Sequence, residues 1–186
     1  MNFFSRPVAA AGFTLALVLE PHEALAQADV PDDFVDLPVV GGLSEPTNLC
    51  FLPDGRLLVV EQRTAMVRLV VQGAFGATDP ILTVPNVNSV GGEQGLLGVA
   101  VDPGWPAKPY VYVYYDYELT PNTRLSRFTA SGDLAGTGSG SFTLDPASRY
   151  DVLTIIPDDD WIHNGGSVRF GIDGMLYLAS GDDGVS

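Results

Sequence analysis

The sequence is short of cysteine, of basic residues and of long apolar runs, and each shortage excludes something. Cys50 is the single cysteine among 186 residues, so no disulfide can form within the chain in any redox compartment. In the run Leu49-Cys50-Phe51 a small buried thiol is the default reading. Lysine and arginine together number nine against 23 acids, Lys108 is the only lysine, and the formal net charge is −14. That sign repels phosphate backbones and leaves no basic stripe with which to hold nucleic acid. The apolar run from Val8 to Leu19 is too short to span a bilayer, and no later run is longer and as apolar, so no membrane span is expected. Convincing helical periodicity is missing as well.

What is present begins with an export leader. Arg6 opens a short basic region, the apolar run comes next, and Ala26-Gln27-Ala28 forms an A-x-A cleavage pattern before Asp29. Residues 1–28 are therefore expected to be a signal peptide and the protein to be secreted or periplasmic, the alternative being an uncleaved N-terminal anchor. No cysteine stands at the cleavage site, which argues against a lipoprotein. A hydrophobic content of 46% with 17% charged residues fits a folded globular chain. Residues 29–40, rich in Pro and Asp, read as an extended lead-in segment.

From residue 41 onward, short β-type runs alternate with Gly, Pro, Asn and Asp. In "NLCFLPDGRLLVVEQ" an apolar run meets Pro53-Asp54-Gly55 and a second run, Leu57 to Val60, returns. Asp-Gly is expected to supply the positive φ angles of a tight hairpin. Further strands are expected at Met66 to Val71, Ile81 to Val84, Leu96 to Val101, Tyr110 to Tyr115, Arg124 to Thr129, Asp151 to Ile156, Val168 to Phe170 and Leu176 to Ala179. The hairpin recurs: "LCFLPDGRLLV" aligns with "VRFGIDGMLYL", pairing Phe51 with Phe170, Asp54 with Asp173, Gly55 with Gly174 and Leu57 with Leu176, all 119 residues apart. "LLGVAVDPGWPAKPYVYVYY" reads as a third, longer version. A repeated antiparallel unit points to an all-β protein, a β-propeller. At about 40–45 residues per blade the chain provides only the first three blades or so, so residues 41–186 are read as the N-terminal part of an incomplete propeller. "SGDLAGTGSGS", Ser131 to Ser141, matches neither phosphate-loop nor nucleophile-elbow spacing and reads as an inter-strand loop.

His163 is the one histidine outside the leader. It precedes Asn164-Gly165-Gly166, a strand, the Asp173-Gly174 turn, a returning strand and Asp182. Such a hairpin brings its two ends together, placing His163 beside Asp182. A carboxylate next to an imidazole fixes its tautomer, which suits a general base; incidental loop charges are the alternative. Asn164 and Gly165 are positioned to touch a flat ligand, with a plain turn as the alternative. "GGEQGLLG", Gly91 to Gly98, places Glu93 and Gln94 in a glycine-flanked loop ahead of a strand, on the same rim of a propeller. "PDDDW", Pro157 to Trp161, lacks the calcium-loop frame, and no metal ligand is assigned. The tyrosines from Tyr110 to Tyr115 resemble a sugar-stacking platform but are read as strand packing.

"PTNLCFLPDGRLLVVEQ", "GGEQGLLGVAVDP" followed by "YVYVYY", "SRF" and "HNGGSVRFGIDGMLYLASGDDG" occur in an order that resembles the glucose/sorbosone dehydrogenase family, from about Gly41 to the chain end. The resemblance implies a six-bladed propeller that holds pyrroloquinoline quinone, with calcium polarising the quinone. It also implies a sugar as substrate, an external electron acceptor, His163 as general base and Asp182 as its orienting carboxylate. Glu93, Gln94, Asn164 and Gly165 are the implied cofactor contacts. Glu93 stands where soluble glucose dehydrogenases have glutamine, and Ile162 where they have aspartate, departures that count against glucose itself and leave an aldose or related polyol-like compound as the expected substrate. The calcium ligands and basic residues of the family site come from later blades, so this chain is expected to hold part of a site. A noncatalytic propeller that binds protein or carbohydrate is the alternative, and a metal-dependent lactonase propeller is a third reading.

Overall fold

The structure, a computed structural model, describes residues 30–184. The expected leader lies outside them. Among the described residues all regular structure is β and none is helical, so no helix is long and apolar enough to cross a membrane. Val40 and Leu43 pack on Leu57, Val59 and Val70, and the compact unit begins at Pro38, so it takes in the last residues of the lead-in segment.

The first sheet has the order β1 (Pro46–Phe51), β2 (Leu57–Glu61), β3 (Met66–Val71) and β4 (Ala74–Phe75), with β5 (Leu82–Thr83) also on β3. β4 pairs with Val70 and Val71, whereas β5 pairs with Met66 and Val67. The outer strand is thus one edge broken in two. In the break, Asp79 accepts the Leu69 N–H at 2.9 Å and pairs with Arg68 at 2.7 Å. The second sheet has the order β6 (Leu96–Val101), β7 (Tyr110–Tyr117), β8 (Asn122–Gly132) and β9 (Phe142–Pro157). β10 (Gly165–Phe170) and β11 (Leu176–Ser180) form a lone hairpin. Every pairing is antiparallel.

β9 is much longer than the expected run from Asp151 to Ile156. The stretch "DPASR" is absorbed as an irregularity of an edge strand, where Pro costs no ladder bond and the Ser148 hydroxyl accepts the Thr129 N–H at 2.8 Å. Ser131 to Ser141 spans the end of β8 and the connection to β9, as expected. The connection is wrapped around the Asp133 carboxylate, which accepts the N–H groups of Thr137, Gly138 and Gly140. Buried Arg56 closes it from beneath by donating to the carbonyls of Asp133, Leu134 and Gly140.

The repeated hairpin is real down to its hydrogen bonds. Leu52 N–H bonds Arg56 O at 2.8 Å and Gly55 N–H bonds Leu52 O at 3.0 Å; Gly171 to Met175 O and Gly174 to Gly171 O repeat them at 2.9 and 3.0 Å. The turn type differs from expectation. Only Gly55 and Gly174 have positive φ, and Asp54 and Asp173 do not, because each loop has three residues and needs one left-handed position rather than two.

β1, β6 and β10 lie side by side. Thr47 Oγ1 on β1 donates to Leu96 O of β6 at 2.8 Å, and Gly98 of β6 abuts the Gly166 carbonyl of β10. One core joins the first two sheets, with Leu58, Val67 and Leu69 meeting Val99, Val113 and Phe128. A smaller core joins the hairpin to the second sheet through Val168, Leu97, Ala100, Tyr114 and Leu125. Tyr114 and Tyr115 are fully buried and Tyr112 meets Phe170 edge-on at 5.3 Å, so these tyrosines pack, as read. Half-buried Cys50 rests against the main core, and its burial pushes the thiol pKa up.

Candidate active site

Each inner strand starts with the same irregularity. The pairing register of β1 skips Thr47, that of β6 skips Leu97 and that of β10 skips Gly166, in each case the second residue of the strand. A bulge bends its strand and re-aims the neighbouring side chains. Here three equivalent bulges surround one cleft of about 570 Å³, lined by Thr47, Leu97 and Gly166 together with Gln62, Glu93 and Asn164. A larger apolar groove, about 700 Å³ and lined by Val40, Leu43, Leu49 and Phe51, involves none of the predicted site residues.

His163 ends the crossover from β9 to β10. Its φ is +59°, and Gly165 and Gly166, the first residues of β10, have +74° and +126°, so the chain reverses tightly as it enters the strand. The reversal lies directly on the end of β11: a methyl group on Gly181 would overlap the His163 carbonyl oxygen. Asp182 comes next after that glycine, and its Oδ1 is 2.9 Å from His163 Nδ1. Both side chains are open to solvent, at 55% and 69% exposure. The hydrogen bond from His163, then that from the Gly184 N–H, holds the Asp182 carboxyl below its ordinary pKa. An ionised carboxylate only accepts, so Nδ1 carries a proton in this contact.

The second loop approaches the first. Glu93 N–H bonds Trp161 O at 2.8 Å, and Glu93 Oε2 accepts the His163 backbone N–H at 2.7 Å. The two predicted loops therefore share a rim. Gln62 fastens the Glu93 loop by donating its amide to the carbonyls of Glu93 at 2.7 Å and Gln94 at 3.1 Å. Gly165 lines the cleft with Asn164. Asn164 is 4% exposed, its Nδ2 donates to Asp158, and its Oδ1 has no partner.

Gln94 is placed differently from the expectation that it touches a cofactor. Its side chain is buried and does not line the cleft. Its Oε1 accepts from Asn88 at 3.0 Å and its Nε2 donates to Asp158 Oδ2 at 3.0 Å, so both ends of the amide are engaged beneath the loop.

Two acids below the rim are not singled out by sequence reasoning. Asp158 stands in the sequence only as part of a run that lacks the calcium-loop frame. Asp116, on β7, is fully buried; its Oδ2 accepts the Gly95 N–H at 2.8 Å and its Oδ1 has no partner. Burial pushes the Asp116 carboxyl up to about 8, with the neighbouring negative charges of Asp158 and Asp183 adding to the shift. Burial also raises Asp158. The available signal is an aspartate at the end of the otherwise apolar and aromatic run "YVYVYYDY", where a charge needs a partner.

No arginine or lysine lines the cleft among the described residues. Arg68 is paired with Glu61 and Asp79, Arg124 and Arg149 with Asp151, and Arg56 with Asp54. Among the described residues no group of three or more His, Cys, Asp or Glu could hold a metal ion. As lined by these residues, the cleft offers no cationic partner to the carboxylates of pyrroloquinoline quinone and does not by itself fit them.

A profile of glucose/sorbosone dehydrogenases matches residues 43–186. The chain belongs to the glucose/sorbosone dehydrogenase family. Quinoprotein glucose dehydrogenase B of Acinetobacter calcoaceticus is 28% identical over 155 residues, covering 78% of this chain and 30% of that protein. The PQQ-bound aldose sugar dehydrogenase of Streptomyces coelicolor is 32% identical with a TM-score of 0.65, over 80% of this chain and 41% of that one. A protein of Thermus thermophilus described as an oxidoreductase (glucose dehydrogenase) is 37% identical with a TM-score of 0.59, over 78% and 40%. The chain therefore spans less than half the length of these family members. Its sheets are propeller blades: two four-stranded blades, the outer strand of the first being split, and the inner hairpin of a third.

Proposed function

We propose that this chain carries the base side of an exported quinoprotein sugar dehydrogenase site. The observation that carries the reading is His163, held by Asp182 through Nδ1 and by Glu93 through its backbone N–H, next to a cleft that Glu93 and Asn164 line and that the His163 side chain does not. Nε2 is the free basic nitrogen. It takes the proton of a sugar hydroxyl, Asp182 stabilises the imidazolium that forms, and loss of that proton drives the C–H electron pair out as hydride. Glu93 Oε2 is occupied, which leaves Oε1 to accept from a second hydroxyl. Pyrroloquinoline quinone, when bound, supplies the two-electron acceptor. Its carboxylates and calcium call for charged groups that this cleft lacks among the described residues, so the reading includes a site shared with residues beyond this chain. An aldose or related polyol-like compound is the substrate, and a bound quinone would require an external electron acceptor to be used again.

The test is dye-linked aldose oxidation with added quinone and calcium, on the 186-residue chain and on its reading frame continued past Ser186. Activity is expected only in the longer protein. There, His163→Ala should lower kcat by about 10²–10⁴ while the circular dichroism spectrum is unchanged. Turnover by the short chain overturns the shared site. An unchanged kcat in the variant overturns the base and favours a propeller that only binds its ligand.

A further inference from the structure

The segment between β9 and β10 crosses from the outer edge of one blade to the inner strand of the next, and it carries His163 just ahead of β10. Such crossovers are free to shift unless something ties them down. Asp158, the first residue after β9, is 4% exposed and accepts one hydrogen bond on each carboxylate oxygen. Oδ2 takes Gln94 Nε2 at 3.0 Å and Oδ1 takes Asn164 Nδ2 at 2.9 Å. Gln94 is the neighbour of Glu93, which lines the cleft, and Asn164 the neighbour of His163, which Glu93 holds by its backbone N–H, so one buried carboxylate is joined to the residue beside each of these two groups.

The partners of this acid are themselves braced. Gln94 Oε1 accepts from Asn88, the Asn88 N–H bonds the Asp116 carbonyl at 2.9 Å, and Asp116 Oδ2 holds the Gly95 N–H. On the other side, the Asn164 carbonyl accepts from Tyr114 OH at 3.2 Å. Of these residues only Asn164 lines the cleft. The network acts on the cleft by setting the spacing of the two loops, and the Glu93 carboxylate reaches the His163 N–H only at that spacing.

We propose that Asp158 is a positioning residue that clamps the Glu93 loop to the His163 loop, so that His163 meets Asp182 and Glu93 together. The chemistry requires a carboxylate. Two amide NH₂ groups converge on it, and among side chains of this size only an ionised acid accepts from both. An amide in its place sets a donor against one of those donors and leaves a buried group unpaired.

As a role in positioning a base, the proposal rests on the reading of His163 given above; its test does not use activity. The chain contains two histidines, His22 and His163, so long-range ¹H–¹⁵N spectra of the imidazoles show two spin systems. In the unaltered chain the His163 system should show the Nδ1–H tautomer. Asp158→Asn should lose it, giving mixed tautomers, and should shift the backbone amides of both Glu93 and His163. Gln94→Glu combined with Asp158→Asn exchanges donor for acceptor across the same contact: the carboxylate introduced at position 94 accepts from Asn88 and from the amide introduced at position 158, whose oxygen still accepts from Asn164. The double variant should recover the tautomer and both amide positions, also where the single variant fails to fold. The clamp is overturned by a single variant whose His163 spectrum is unchanged, or by a double variant no better than the single. Should the clamp hold while His163→Ala leaves kcat of the longer protein unchanged, the base assignment fails and the clamp stands.

Discussion

At Asp116, burial and hydrogen bonding pull in opposite directions, and burial wins. The carboxyl has one backbone donor, the Gly95 N–H, and an unpartnered second oxygen, with the charges of Asp158 and Asp183 nearby. Its pKa of about 8 in the fold compares with 3.8 in its absence. Between those values the folded state holds a proton that the unfolded state has released. Stability therefore falls as pH rises across that window and levels off above it. Asp116→Asn keeps an acceptor for Gly95, carries a permanent N–H in place of the titrating proton, and fits the same space. The pH dependence of Tm between about pH 5 and 8 should flatten in that variant, and stability at the upper end should rise by about 1–3 kcal/mol. Thermal melts across that range check it; a variant with the pH slope of the parent contradicts the assignment.

Among the elements, the β10–β11 hairpin does the most for the site, and two glycines in and beside it separate stability from geometry. Gly174 has open space around it and a φ of +76°, so Gly174→Ala should cost about 1–2 kcal/mol of strain and leave the His163 imidazole spectrum as it is. Gly181 has the His163 carbonyl where a side chain would start. Gly181→Ala must push the two segments apart, with a comparable or larger loss of stability of about 1–3 kcal/mol and loss of the Nδ1–H tautomer signal. Urea melts read the first quantity and the imidazole spectrum the second. The repeat of this hairpin, the approach of His163 to Asp182 and the common rim of the two loops were legible from turn residues and strand alternation. The split outer strand, the bulged "DPASR" stretch and the role of Gln94 were not. Each depends on which groups meet across blades, and a periodicity of two carries no information about that. The three matching bulges at Thr47, Leu97 and Gly166 were hidden for a similar reason, since a bulge is one unpaired residue and leaves the alternation on either side intact.

For the molecule as a whole, the two cores predict an uneven stability, and the site sits at the weaker end. Phe128 lies fully buried in the core shared by both four-stranded blades. Phe128→Ala should cost about 3–5 kcal/mol and lower amide-exchange protection across both blades together. The hairpin is joined to the second blade mainly by one face, through fully buried Val168, and it leaves Ile172 and Met175 at its turn and Tyr177 on β11 exposed. Val168→Ala should cost about 1.5–3 kcal/mol at that contact and raise exchange mainly within β10 and β11, with protection at Val60 and Val113 nearly unchanged. Hydrogen exchange read residue by residue separates the two patterns; equal loss of protection everywhere after Val168→Ala would mean one cooperative unit. Uneven stability bears on the geometry around His163. His163 and Asp182 flank the hairpin, whereas Glu93 precedes β6 on the more firmly packed blade. Opening of the hairpin then separates the imidazole and its carboxylate from the Glu93 side of the cleft without unfolding the blades. Covering the hairpin's exposed face, as a continuing blade would, should raise its exchange protection toward that of the second blade and make the His163 geometry persistent.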